Sequence, residues 1–194
     1  MDKKITILIG LGNPGTDYAN SYHNAGSLFI DHLAAEGSAK FKKNRLFEYA
    51  EIKLGDRRCL LIKTLVFMNL AGEAVLAVIK YFGVKPENIL VIHDDSDVET
   101  GKYKLSFGRG AAGHKGAESV IKKLGGKDFN RLRIGIREMP KPGRARAKAG
   151  KFVLKNITGK DKTRLYSTFN AIKRNVIEND TLSPAVCVIE EIGN

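Results

Sequence analysis

An apolar run, Ile5-Thr6-Ile7-Leu8-Ile9, breaks into the turn Gly10-Leu11-Gly12-Asn13-Pro14-Gly15, which is followed by Tyr18 and His23-Asn24-Ala25-Gly26. A strand-like run ending in such a turn, with a histidine where a helix can begin, is an active-site layout. An imidazole, with an ordinary pKa of about 6.5, is the side chain best matched to taking a proton from water near neutrality. It needs partners from elsewhere, and the chain offers Phe67-Met68-Asn69, His93-Asp94-Asp95 and Gly113-His114-Lys115-Gly116. A carboxylate bonded to the second ring nitrogen fixes the tautomer and favours the imidazolium formed as water attacks. Side-chain amides such as those of Asn13 and Asn69 are uncharged donors and acceptors, able to meet a developing oxyanion. Each residue also has a purely structural use. His23 suits a helix start, Asn13 a turn and Asn69 a helix N-cap; Asp94 suits the loop after its strand, Tyr18 packs over the turn, and Phe67 and Met68 suit a core.

Two spacings in the same regions suggest other chemistry. Gly10-x-Gly12-x-x-Gly15 after a strand fits the dinucleotide-binding pattern, which also wants an acidic residue closing a second strand roughly 20 residues on. Asp31 stands at about that distance, but Ala25, Leu28, Phe29 and Leu33 recur at helical spacing and place Asp31 on a helix. Pro14 also removes a backbone N–H from the turn that would hold a pyrophosphate. Asp95-x-Asp97-x-Glu99 invites a calcium loop, yet Gly101 falls one place late and Ser106 stands where the bidentate glutamate belongs. No metal and no cofactor are expected.

The elements that must position these residues alternate. Strands are expected over 5–11, 47–53, 58–64, 89–93, 102–107 and 132–136, with a hairpin across Gly55-Asp56. Helices are expected over 25–35, from Asn69 as N-cap to Phe82 with Gly83 just beyond, over 116–124 and over 160–178. Interleaving of this kind indicates an α/β domain with a mixed, mostly parallel sheet, in which ligands sit beyond the carboxyl ends of strands. The loops at Asn13 and His93-Asp94, with Phe67-Met68-Asn69, follow strands and can share one cleft.

The chain has 194 residues, 43% of them hydrophobic, and no Ser- or Pro-rich linker, so one domain over 1–194 is the simplest account. Cys59 and Cys187 set no disulfide or metal spacing and suit buried thiols in a reducing compartment. The first apolar run is too short for a membrane span and carries no cleavage pattern, so a cytoplasmic monomer with no membrane contact is expected. The net charge of +12 is unevenly spread: residues 1–100 carry −1, residues 101–174 carry +17 and residues 175–194 carry −4. A segment this basic, densest in a loop near 140–151, suggests a nucleic-acid surface rather than general solubilisation.

These stretches, together with Phe67-Met68-Asn69-Leu70-Ala71-Gly72 and Arg131-Leu132-Arg133-Ile134-Gly135-Ile136, occur in an order that resembles the bacterial-type peptidyl-tRNA hydrolases from about Ile5 to Leu154. The resemblance implies a single α/β domain with a twisted, mixed, mostly parallel sheet flanked by helices. It implies metal-independent hydrolysis of the ester joining a peptide to the terminal ribose of tRNA, which recycles tRNA from prematurely released chains. By position it makes His23 the general base, Asp94 its supporting carboxylate, and Asn13 the residue that separates blocked from free aminoacyl groups. Tyr18, Phe67 and Asn69 match substrate-binding positions, with Met68 beside them, and His114 and Lys115 are expected as further substrate or tRNA contacts.

The chain departs from the family pattern in several places. Lys115 replaces an asparagine, so an amide that donates and accepts has become a cation that only donates, and Ala112 stands where glycine is usual. Of the lysine and arginine that the family sets against tRNA phosphate, Arg133 is present, while Ser106 occupies the lysine's place; Lys104, on the same strand face, is the expected substitute. The tail from Thr181, with Ala185-Val186-Cys187-Val188-Ile189, differs from the basic, helix-like end of the family. A non-catalytic RNA-binding or splicing factor on the same scaffold is the alternative, since fold does not separate the two.

Overall fold

The computed structural model describes residues 6–54, 57–138, 150–178 and 189–191. The basic loop near 140–151 lies outside them up to residue 149, as does the tail over 179–188, including Cys187.

In chain order the elements are β1 (Thr6–Gly10), α1 (Ala25–Glu36), β2 (Lys42–Lys43), β3 (Phe47–Leu54), β4 (Arg57–Thr64), α2 (Ala71–Phe82), β5 (Ile89–Glu99), β6 (Lys102–Phe107), α3 (Lys115–Leu124), β7 (Asn130–Arg137), α4 (Gly150–Val153), α5 (Gly159–Ile172) and β8 (Ile189–Glu191). They form one sheet in the order β2-β3-β4-β1-β5-β7-β6-β8. The central strands β4, β1, β5 and β7 are parallel, and β3 and β6 run against them. The sheet is therefore mixed and mostly parallel, as expected.

β1 is apolar throughout because both of its faces are covered. Leu8 joins the core under α1 and α5, while Ile7 and Ile9 join the core under α2 and α3. β3 shows the opposite signature of a half-exposed strand: Ala50, Ile52 and Leu54 are buried and Glu51 and Lys53 exposed.

α1 lies unusually close to the sheet. A Cβ on Gly26 would come within 2.2 Å of the Ile92 carbonyl oxygen, and one on Gly10 within 2.4 Å of the Gly26 oxygen. Gly10 and Gly26 thus serve helix-on-strand packing, and Asp31 lies on α1 with Lys63 Nζ at 2.6 Å. That disposes of the dinucleotide spacing, which Gly10 satisfies for another reason.

Two local expectations change, and a third keeps its span with a different ending. Asn69 is not the N-cap of α2. It sits inside a 3-10 turn, Met68–Leu70, and Leu70 takes the cap position without a side-chain bond. β5 does not stop at His93; it continues to Glu99, so Asp94 is a strand residue rather than the cap of a loop. The last helix is α5, capped by Thr158, and it runs on as a π-helical turn, Lys173–Glu178. The tail contributes β8, which pairs with β6. Among the described residues no helix is long and apolar enough to cross a membrane.

Candidate active site

The parallel pairing of β1 with β5 ends at Gly10 and Ile92, and the chain after β1 turns away once Leu11 N–H has bonded the Ile92 carbonyl. β5 continues beyond that point beside β7 alone, which brings Asp94, two residues on, to the opening left by β1.

The turn after β1 is built by two asparagines. Asn24 Nδ2 donates to the Asn13 carbonyl at 2.9 Å, and Asn13 N–H donates to Asn24 Oδ1 at 2.8 Å. Met68 N–H then donates to Asn13 Oδ1 at 2.8 Å, so the Asn13 side chain is oriented with its Nδ2 left to donate. Asn24 has no assigned role in the sequence, although it lies inside the His23-Asn24-Ala25-Gly26 motif. Its reciprocal bonds join the Asn13 turn to the short 3-10 turn, Tyr22–Asn24, that carries His23.

His23 is 7% exposed, and its Nδ1 lies 2.8 Å from Asp94 Oδ1. A carboxylate only accepts, so Nδ1 carries the proton and Nε2 keeps its lone pair. His114 Nε2 lies 2.9 Å from the same Asp94 oxygen, and its Nδ1 accepts the Ala117 N–H at 3.1 Å, capping α3. His114 therefore holds Asp94 with one nitrogen and its own helix with the other, whereas the sequence suggests a substrate contact. Burial alone would raise the Asp94 pKa. The attraction and hydrogen bond of His114, followed by those of His23, outweigh it and hold the carboxyl far below its ordinary value.

The loop before His114 is pinned from beneath. Arg131, 2% exposed, donates from Nη2 to the Arg109 and Gly110 carbonyls at 2.9 and 2.8 Å. Burial, and then the neighbouring charge of Arg133, push its pKa down to about 10. Ala112 sits at φ 49°, a left-handed conformation that costs a residue with a Cβ about 1–2 kcal/mol.

Asn13, Tyr18, His23, Phe67, Met68, Asn69, Asp94, His114 and Lys115 all line one cavity of about 570 Å³. Phe67 is 52% exposed and meets Tyr18 edge to face at 6.2 Å between centroids, so this pair forms an apolar rim rather than core. The cavity is also lined by Lys151, Val153 and Leu154, at and just beyond the end of the basic loop, which composition alone does not single out. Lys104 and Arg133 do not line it. They face each other across β6 and β7, and Arg133 Nε lies 2.6 Å from Asp95 Oδ2. Asp95 Oδ1 accepts the Asp97 N–H at 2.7 Å on β5, which is a strand and not a calcium loop.

His23, Asp94 and His114 present ligand atoms within 4.8 Å of one another, the one such group among the described residues. They suit proton chemistry better than a metal. A metal on His114 Nε2 would move the ring proton to Nδ1, against the Ala117 N–H that already points there.

A family model, Peptidyl-tRNA hydrolase, matches residues 7–183. Among curated relatives, a peptidyl-tRNA hydrolase from Neisseria meningitidis serogroup C is 43% identical over 138 residues, covering 70% of this chain and 72% of its own. One from Mycobacterium bovis is 42% identical over 154 residues, covering 78% of each. A crystal structure of peptidyl-tRNA hydrolase from Acinetobacter baumannii superposes with a TM-score of 0.77 at 26% identity, covering 91% of this chain and 90% of that one.

Proposed function

Since the chain belongs to the peptidyl-tRNA hydrolase family, we propose that it cleaves the ester between a peptide and the 3′-terminal ribose of tRNA, with His23 as general base and Asp94 as its support. The observation that carries the assignment of roles is the 2.8 Å contact between His23 Nδ1 and Asp94 Oδ1 at the wall of the cavity. It leaves Nε2 as the basic atom.

In the reaction, water bonded to His23 Nε2 attacks the ester carbonyl carbon and gives up its proton to that nitrogen. Asp94 stabilises the imidazolium across Nδ1–H. The carbonyl oxygen becomes an oxyanion, for which Asn13 Nδ2, Asn69 and Lys115 are the nearby donors. Collapse breaks the bond to the ribose oxygen, which leaves with the proton returned by His23, and the peptide departs as a free acid. Asn13 is fixed by Asn24 and Met68, and a donor so rigidly held can demand a carbonyl from the substrate. When the carbonyl is the N-acyl one, which a free aminoacyl ester lacks, that requirement distinguishes a peptide from a free amino acid.

Tyr18 and Phe67 offer ring faces and edges to the peptide or the terminal bases, and Lys115 and Lys151 offer charge to the RNA end. The basic segment from residue 101 supplies the wider attraction to tRNA. The same reading has the protein acting without metal, as a monomer, in the cytoplasm.

The test is release of an N-blocked amino acid from tRNA, with free aminoacyl-tRNA as control and chelator present throughout. Selective release is the expected result. tRNA binding without release would favour the RNA-binding alternative, and dependence on added metal would overturn the proton-transfer scheme.

A further inference from the structure

His93 lies directly behind the groups described above and takes no part in the scheme. It is 0% exposed, and its Nδ1 lies 2.7 Å from the carbonyl oxygen of Asp94, to which it donates. Its ring stands 4.3 Å from that of His114, centroid to centroid, and the His114 ring is 4.9 Å from that of His23. The three imidazoles thus form a row with His114 in the middle.

The anomaly is the other nitrogen. His93 Nε2 is buried with no hydrogen-bond partner. An orphaned polar atom is a standing cost that an apolar ring of similar shape would avoid. Stability alone therefore gives no reason for a histidine here, and the reason must lie with Nδ1–H, the ring face, or both.

We propose that His93 is a positioning residue for the hydrolysis, whose Nδ1–H fixes the Asp94 main chain while its ring backs His114, so that one Asp94 oxygen meets both His114 and His23. The inference rests on the roles given to His23 and Asp94 under the proposed function. Asp94 reaches its partners from a strand that has lost its β1 neighbour, so its backbone is held on that side by fewer ladder bonds. A donor to the Asp94 carbonyl restores part of that restraint. His93 suits the task because it stays neutral: burial, then the nearby His114 and Arg131, push its pKa well below the ordinary histidine value, against the opposing pull of Asp94. Arg133, its register partner on β7, is paired with Asp95. A relay of protons through the row is excluded, because His114 Nδ1 is occupied by the Ala117 N–H.

The experiment compares His93→Phe, which keeps a ring but removes the donor, with His93→Asn, whose amide can replace Nδ1–H but not the ring. Steady-state hydrolysis of N-blocked aminoacyl-tRNA is measured alongside thermal unfolding for both. His93→Phe is expected to fold, with kcat lowered on the order of 10-fold and KM unchanged, the signature of a misplaced catalytic pair. His93→Asn is expected to recover more kcat than His93→Phe, although it leaves a hole and melts lower. Wild-type kcat in a folded His93→Phe would overturn the proposal, as would a kcat in His93→Asn below that of His93→Phe. If His93→Phe does not fold, kcat of the folded His93→Asn decides: near wild type supports the donor role, and a fall of 10-fold or more overturns it. Failure of the wild-type chain to hydrolyse the substrate would instead refute the proposed function itself.

Discussion

His114 Nε2 sits 2.9 Å from the Asp94 oxygen that also receives His23 Nδ1, so one carboxylate oxygen serves two imidazoles. The arrangement makes Asp94 a hinge between the base and the N-terminus of α3. Replacing it by asparagine keeps the shape but removes the charge that favours the imidazolium and leaves two ring N–H groups competing for one amide oxygen. Asp94→Asn should lower kcat on the order of 10²- to 10⁴-fold, with tRNA binding retained. Single-turnover hydrolysis and a filter-binding titration measure the two separately, and a loss confined to binding would contradict the role.

Acid should weaken the fold in two stages. The unfolded chain binds a proton at His93 below about pH 6.5, while in the folded chain His93 stays neutral well below that, because burial and then His114 and Arg131 oppose its charging. The unfolded state therefore binds more protons, and stability falls as pH drops below about 6.5, at up to about 1.4 kcal/mol per pH unit from this group. Asp94 acts in a lower window. Its folded pKa is depressed, so its contribution is complete above the unfolded value of about 3.9 and is lost as pH falls further. Urea unfolding at pH 7, 6 and 5 should show the first stage, and His93→Phe should flatten it. An unchanged slope in that variant would assign the loss to other groups.

Much of this is legible in the sequence, and the parts that are not share a cause. The mostly parallel sheet around β1 follows from apolar runs alternating with helical ones, and the cavity residues follow from motifs that lie at or just beyond strand ends. His114 escapes such a reading because a histidine's role depends on which atoms its two nitrogens meet, here Asp94 and Ala117, which are 20 and 3 residues away. Asn69 escapes it because a 3-10 turn replaces the first turn of α2 and moves the cap to Leu70. Arg133 reads as a tRNA phosphate contact, and its pairing with Asp95 across β5 and β7 is a matter of register, which local patterns do not carry. His93 is visible only as part of a motif, since nothing in its neighbours in sequence tells that Nε2 is buried without a partner.

Phe67 tests the apolar rim. At 52% exposure it contributes little to the core, so Phe67→Ala should change stability by about 0.5 kcal/mol or less. KM for N-blocked aminoacyl-tRNA should rise several-fold, with kcat less affected, because the ring contacts the substrate before and during reaction alike. A large fall in melting temperature with unchanged KM would return Phe67 to a packing role.

Lys104 and Arg133 should separate under salt. Arg133 is tied to Asp95, whereas Lys104 faces it from β6 and has no ion pair among the described residues. Lys104→Ala should make the dependence of log K for tRNA on log salt shallower by about 0.7–0.9, one phosphate contact's worth. Arg133→Ala should change that slope less and lower stability, since it leaves the 7%-exposed Asp95 without its partner. Equal slopes for wild type and Lys104→Ala would remove that lysine from the tRNA surface.

The most direct measurement is hydrolysis of N-blocked aminoacyl-tRNA by His23→Ala under single-turnover conditions, with tRNA affinity measured on the same preparation. A general base at His23 predicts a rate lowered by at least about 10²-fold and an affinity within a few-fold of wild type. A rate near that of wild type would show that another group takes the proton from water, and the pairing of His23 with Asp94 would then be structural.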